Sequence, residues 1–348
     1  MTDKKHVFFL KKPDKKKTRG FISNMARNYK RFDCATQDEV RASLEEHGVA
    51  VVPRVLLDTA KSVDEMWKFL EDSSADFRLP IKRDDPASWI TYFDEYLPSH
   101  GMLLQYFGVG HSEVCWNIRQ HPAVVQQFAN LWGCKKEELI TSFDGMSISF
   151  PPEVVKGRGS YKGNNWLHTD QSFTRSEFEC VQGFINLFDV KEGDATLTLL
   201  QGSHNLHREC GVKFNLTSSK DWLAITPEQE QFYTDNNCSE VFVECDAGSL
   251  VLWDSRTIHS GSQPLSNRPN PETMRCVVYV CMVPRGDISD KSLKKRISIY
   301  EKRRMTTHWP RKARMFGASP QTYGKKLQPK RIISAPRLTD LGRKLVGY

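Results

Sequence analysis

Three of the chain's ten histidines stand two residues before an acid: His111 with Glu113, His168 with Asp170, and His207 with Glu209. In a chain with this many acids about one such triplet arises by chance, so spacing alone selects none of them. Context selects His168 and Asp170, which follow Trp166 and Leu167 in an extended-looking segment. On a strand, side chains i and i+2 project to one face roughly 7 Å apart in Cα, so the pair can share a metal. A third donor has to come from elsewhere, and His259 stands just after the apolar run 250–253. Two imidazoles and a carboxylate on one side of octahedral Fe(II) leave three adjacent positions for a chelating co-substrate and O2. Zinc takes the same donors with one open position. Taken singly, either histidine reads as a hydrogen-bonded core or surface residue.

Arg275 separates the two metals. It begins Arg275-Cys-Val-Val-Tyr-Val-Cys, in which alternation puts Arg275, Val277 and Tyr279 on one face. An arginine pointing into a barrel needs an anion. A dicarboxylate bound to iron by one end offers its far carboxylate to a bidentate guanidinium contact; a hydrolytic zinc site gives Arg275 no purpose. Arg268 is the competing partner, although Pro269 beside it indicates a loop.

The elements that must hold these residues are readable in outline. Residues 38–47 and 58–70 have helical periodicity, the first stopped by Gly48, and 120–132 repeats the pattern before Gly133. The front part, 38–140, is therefore mainly helical. A strand is expected over 49–52, and from Gly145 the period turns toward two, with further strands expected over 146–150, 181–188, 196–200, 249–253 and 276–283. Short strands at this spacing suggest a barrel or jelly roll. After Pro284 the pattern dissolves into Lys and Arg with single aromatics.

The ordered set Trp166-Leu-His-Thr-Asp-Gln-Ser, Val181-Gln-Gly-Phe-Ile-Asn-Leu, Gln201-Gly-Ser-His, Gly248-Ser-Leu-Val-Leu-Trp-Asp, His259-Ser-Gly and Arg275 resembles the phytanoyl-CoA dioxygenase family of Fe(II)/2-oxoglutarate oxygenases. The resemblance spans about residues 40–284. It implies an α+β fold with a mainly β core, a double-stranded β-helix (cupin-like jelly roll) flanked by N-terminal helices. It implies His168, Asp170 and His259 as catalytic iron ligands, and Arg275 on the C5 carboxylate of 2-oxoglutarate. Phe184 falls where relatives place an aromatic residue near the co-substrate, and Gln182 is a further co-substrate candidate. Family members use Fe(II), 2-oxoglutarate and O2, release succinate and CO2, and hydroxylate unactivated C–H bonds. Halogenating relatives lack the metal carboxylate, so Asp170 points to hydroxylation. The implied substrate is a small molecule, bound by barrel-mouth loops such as 156–165 and 208–221.

Composition bounds the remainder. The 348 residues, 39% hydrophobic with 8 Trp, 19 Phe and 10 Tyr, exclude a disordered or low-complexity chain. No stretch approaches the roughly 20 apolar residues of a membrane span, and the start lacks a secretory core, so an intracellular, cytoplasmic or nuclear protein is expected. Nine cysteines without CxxC pairs read as reduced thiols. Charge divides the chain into a basic arm over 1–31 (net +9), an acidic oxygenase domain over 32–284 (net −15) and a basic extension over 285–348 (net +14). The extension is expected to wrap the core; the basic ends also suggest nucleic acid as an alternative partner, with the site inactive or acting on a nucleobase. The bland reading folds them onto the acidic body. Asp254 and Arg256 are expected to pair at the barrel rim, His204 to brace its loop, and Trp166 to serve packing.

Overall fold

The computed structural model describes residues 27–97, 103–155, 166–286, 288–332 and 334–348. Of the expected basic arm, 1–26 lie outside these, as does the loop 156–165. The first strands in chain order are β1 (Tyr29–Arg31), β2 (Val49–Val52), β3 (Leu103–Leu104), β4 (Leu139–Thr141) and β5 (Met146–Ser149). There follow β6 (His168–Thr169), β7 (Val181–Asn186), β8 (Leu197–Leu200) and β9 (Leu223–Ala224). The last are β10 (Glu240–Glu244), β11 (Leu250–Asp254), β12 (His259–Gly261) and β13 (Arg275–Pro284). One sheet runs β1-β10-β8-β12-β6-β9; the other runs β2-β11-β7-β13-β5-β3, with β4 also on β13. Only the β1–β10 pairing is parallel among these strands. This is the double-stranded β-helix that the sequence resemblance implied.

Period-two alternation explains how the larger sheet is buried on both faces. Phe184, Val251, Trp253 and Val277 face inward and meet Leu197, Leu199, Val241 and Val243 of the opposite sheet. Their sequence neighbours Val181, Ile185, Leu250, Leu252, Cys276, Val278 and Val280 face outward into a second core, under helices. Strands buried on both faces read as near-continuous apolar runs, and β11 and β13 do, whereas β7 is interrupted by Gln182, Gly183 and Asn186.

The covering helices are α1 (Gln37–His47), α2 (Ala60–Ser74), α3 (Ile90–Glu95), α4 (Glu113–Arg119) and α5 (Pro122–Trp132). The first starts at a capping box, in which the Thr36 hydroxyl accepts from the Glu39 amide and the Glu39 carboxylate accepts from the Thr36 amide. It ends at Gly48 in the left-handed conformation, φ +77°. Two more helices, α6 (His207–Lys213) and α7 (Pro227–Asp235), lie between strands of the smaller sheet.

The front helices also enclose a buried charge. Arg119 of α4 donates to the main-chain oxygens of Gly110 and Asp144. Burial pushes the Asp144 carboxyl up to about 7 against the opposing pull of Arg119.

Sequence periodicity showed nothing after Pro284, yet two helices are present there, α8 (Asp290–Glu301) and α9 (Asp340–Val346). Their anchor is Arg296, buried and donating to the carbonyls of Val346, Pro310, Thr141 and Leu345 at 2.6–3.1 Å. Other cations of this segment meet acids of the body: Lys325 with Asp94, Lys330 with Glu95 and Arg331 with Asp76. These contacts are the bland reading of the basic C-terminal end, and nothing in them favours a nucleic-acid partner. All nine cysteines are free thiols. No helix among the described residues is long and apolar enough to cross a membrane.

Two outcomes are expected. A Cβ on Gly48 would lie 2.5 Å from Thr257 Oγ1 and 2.6 Å from His204 Nδ1, in a backbone conformation that side chains disfavour. Gly48→Ala should therefore cost about 1–3 kcal/mol and lower the melting temperature by several degrees; an unchanged midpoint would contradict this packing. For Asp144, the folded pKa lies above the unfolded value, so folding takes up a proton and stability falls as pH rises from about 4 to about 7. The difference in melting temperature, Asp144→Asn minus wild type, should accordingly grow across that window, and a constant difference would argue against a buried neutral acid.

Candidate metal centre

Strand pairing brings the two distant histidines together. In the β6–β12 ladder His259 lies directly opposite His168, so both rings project from one face, with centroids 4.4 Å apart. Asp170 follows β6, its amide donating to Ser255 O at 3.1 Å and the Thr169 hydroxyl donating to the same oxygen. Its carboxylate stands 3.7 Å from His168 Nε2 and 3.3 Å from His259 Nε2. One donor atom from each of the three lies within 4.8 Å of the others, as a single metal ion requires.

The hydrogen bonds around these side chains set them up as ligands. His168 Nδ1 lies 3.1 Å from Trp166 O and His259 Nδ1 lies 2.9 Å from Thr257 O. A carbonyl only accepts, so each Nδ1 carries the proton and each Nε2 presents a bare lone pair. Burial and the neighbouring His259 lower the His168 pKa to about 4, against the pull of Asp170, which keeps the ring neutral. Burial works to raise Asp170, but His168, His308 and His259 outweigh it and hold the carboxyl below its ordinary range. The neutral His168 ring, the His259 Nε2 beside it and an ionised carboxylate fit a divalent cation.

Gln182, the further co-substrate candidate, lies beside the cluster. Its amide donates to Asp170 Oδ2 at 2.8 Å and orients the carboxylate. Gln171 braces the following turn by donating to the carbonyls of Arg175 and Glu177 and accepting from Ser255 Oγ.

The two candidate arginines are distinguished by their partners. Arg268 is fully engaged: it donates to both oxygens of Glu153, to Asp194 at 2.9 Å and to Pro271 O. Arg275 is 6% exposed, its guanidinium 5.5 Å from the Phe184 ring, and its Nε and Nη1 meet no partner among the described residues. It begins β13 on the inward face with Val277 and Tyr279, where the Tyr279 hydroxyl meets Ser147 Oγ at 3.0 Å. An inward cation without an anion is costly unless a ligand supplies one.

The other histidine–acid triplets stay structural. His111 is buried between Arg304 O and the Trp116 indole, and His207 stacks on Phe173 with its Nε2 3.0 Å from Gln171 O. His204 braces Glu45 O at 2.9 Å, and Asp254 pairs with Arg256 at 2.6 Å. Trp166 departs from the packing role expected of it. It is 42% exposed and stacked 4.7 Å from His168, and the 53% exposed Trp222 tilts over the same ring at 5.5 Å. The expected loop 208–221 contributes Asp221, which binds Arg175 at 2.5 Å. Sequence reasoning missed Trp222 and, from the C-terminal segment, His308, which is buried near Asp170. Neither carries a spacing signal.

The chain is similar to known proteins in sequence and in fold. A relative from Aspergillus versicolor, "Ava biosynthesis cluster protein O", is 27% identical over 257 residues, covering 71% of this chain and 77% of its own. The solved structure of hypothetical protein JW0805 from Escherichia coli shares the fold with a TM-score of 0.55 at 12% identity, over 90% of this chain and 81% of that one. The epimerase SnoN, solved with Fe3+, alpha ketoglutarate and nogalamycin RO, aligns over 71% of this chain and 83% of its own at 16% identity and a TM-score of 0.43. The model of the phytanoyl-CoA dioxygenase family matches residues 44–270, which span the helices α2 to α7 and both histidines of the centre. With most of its length inside that match, the chain belongs to the phytanoyl-CoA dioxygenase family and is an Fe(II)- and 2-oxoglutarate-dependent dioxygenase, with O2 as the second co-substrate.

Proposed function

We propose that the protein hydroxylates a C–H bond of a small organic molecule, with His168, Asp170 and His259 holding Fe(II) and Arg275 holding the far carboxylate of 2-oxoglutarate. The observation that carries this reading is the buried, inward Arg275, whose Nε and Nη1 meet no partner among the described residues, in the same barrel as the three-donor cluster. The bound iron and keto acid supply the oxidising power, 2-oxoglutarate being decarboxylated to succinate and CO2.

The chain's own residues position and shield. The two Nδ1–H groups, tied to main-chain oxygens, hold each Nε2 toward the metal position. Gln182 fixes the rotamer of Asp170 by its hydrogen bond, so its role is to steady the carboxylate. Phe184 lies beside the guanidinium of Arg275 and, with Trp253 at 5.7 Å, walls the interior against water. Exposed Trp166 and Trp222 border His168 and mark the side from which an organic substrate approaches. Asp170 would supply the metal carboxylate that halogenating relatives lack, which favours hydroxylation.

Anaerobic addition of Fe(II) and 2-oxoglutarate should produce a visible metal-to-ligand charge-transfer band, and admission of air should release succinate. Absence of both would defeat the reading. Losing a buried charged contact to a carboxylate costs about 2–5 kcal/mol, so Arg275→Leu should raise KM for 2-oxoglutarate about thirtyfold or more while leaving Fe(II) affinity near wild type. Arg275→Lys should fall between the two. An unchanged KM in the leucine variant would remove Arg275 from the co-substrate site.

A further inference from the structure

We infer that the molecule oxidised at this centre presents a flat aromatic or conjugated ring, which lies against the indoles of Trp166 and Trp222. The inference rests on the iron-binding reading above and names the substrate class that this reading leaves open.

Of the chain's eight tryptophans two are exposed, and both meet the imidazole of one candidate iron ligand. Trp166 is stacked on His168 with the ring centroids 4.7 Å apart and the planes 15° from parallel; Trp222 stands 5.5 Å from the same ring at 35°. Strand pairing places them there. Trp166 lies two residues before His168, at the entry to β6. On one side β6 pairs with β12, His168 opposite His259; on the other it pairs with β9, His168 opposite Ala224 and Thr169 opposite Leu223. Trp222 is the residue before β9, so this antiparallel ladder carries it toward Asp170.

Both indoles are exposed yet fixed. Trp166 Nε1 donates to Gly261 O at 3.2 Å, which ties the ring to the strand that carries His259. Trp222 is held from both sides in the chain: Asp221 before it pairs with Arg175 at 2.5 Å, and after β9 the Ile225 amide donates to Leu167 O at 3.0 Å. A large apolar side chain facing water is unfavourable, and a tie that keeps it in one orientation does not relieve this; a stacking ligand does. Orientation before binding also lowers the entropy lost when the ligand docks. With the neighbouring Asp221 carboxylate engaged by Arg175, the two tryptophans offer π surface rather than charge. An aliphatic chain gains only burial from them, whereas a flat conjugated ring gains burial together with offset or edge-on ring contact.

The test uses the full-length protein loaded with Mn(II) in place of Fe(II) and with 2-oxoglutarate, so that the site is filled without turnover. Two probes of similar size are compared, 2-naphthol and its saturated counterpart decahydro-2-naphthol. Binding is followed by the paramagnetic broadening of their proton resonances, which reports a position beside the metal. The wild type should bind 2-naphthol about fivefold or more tightly than the saturated probe. Trp166→Ala and Trp222→Ala should each weaken 2-naphthol by about fivefold or more, Trp222→Phe should keep most of the affinity, and the saturated probe should change less in all three. The Mn(II) electron paramagnetic resonance signal of each variant separates loss of ring contact from loss of metal. Trp222→Ala decides alone if removing the indole stacked on His168 weakens the metal. Equal wild-type affinity for the two probes, no broadening of either, or a Trp222→Ala variant that binds 2-naphthol as the wild type does would overturn the inference. A wild type that takes up no Mn(II) would defeat the metal reading itself, whereas one that binds Mn(II) and 2-oxoglutarate without preferring the flat ring would defeat only the substrate class.

Discussion

The centre depends on one register. β6 and β12 are only two and three residues long, and their pairing puts His168 opposite His259. A slip of one residue would turn one imidazole to the other side of the sheet and dissolve the cluster. Strands this short cannot hold register by their own ladder, so loop contacts do it. Ser255 O receives both the amide of Asp170 and the hydroxyl of Thr169. Gly48 O receives the amide of Asp254 and the hydroxyl of Thr257. The left-handed end of α1 thus braces the turn that leads to His259, and that turn in turn braces the Asp170 carboxylate.

The same barrel interior separates two arginines that are alike in burial. Arg268 has spent its donors on Glu153, Asp194 and a carbonyl, and so closes the loop in which it sits. Arg275 has kept donors in reserve beside Phe184. Burial of a cation is tolerable when its partner is part of the protein or arrives as a ligand. Stability accounts for the first arginine; the second is the one proposed to bind a keto-diacid.

Much of this was legible in the sequence, and the reasons for the failures are physical. β11 and β13 announce themselves because both faces are apolar, and alternation along β13 correctly turned Arg275 inward. Trp166 was misread because an indole next to a metal-binding histidine has the composition of packing but is exposed here. Gln182 was on the right face with Phe184, but no pattern states that its amide reaches Asp170. The helix α8 was hidden because one of its buried anchors is Arg296, a residue type that sequence reading assigns to solvent. Four carbonyl contacts make that burial possible, and they come from segments far apart in the chain. His308 was missed for a related reason: tertiary folding alone brings residue 308 near residue 170.

The central claim is that one ferrous ion joins two imidazoles, one carboxylate and a keto acid whose far end lies on Arg275. A crystal structure of the protein loaded anaerobically with Fe(II) and 2-oxoglutarate, with anomalous data at the iron edge, tests it directly. The account predicts one iron peak within coordination distance of His168 Nε2, His259 Nε2 and Asp170, chelated by the keto acid, with its C5 carboxylate on the Arg275 guanidinium. Iron bound elsewhere, or a keto acid oriented away from Arg275, would contradict it.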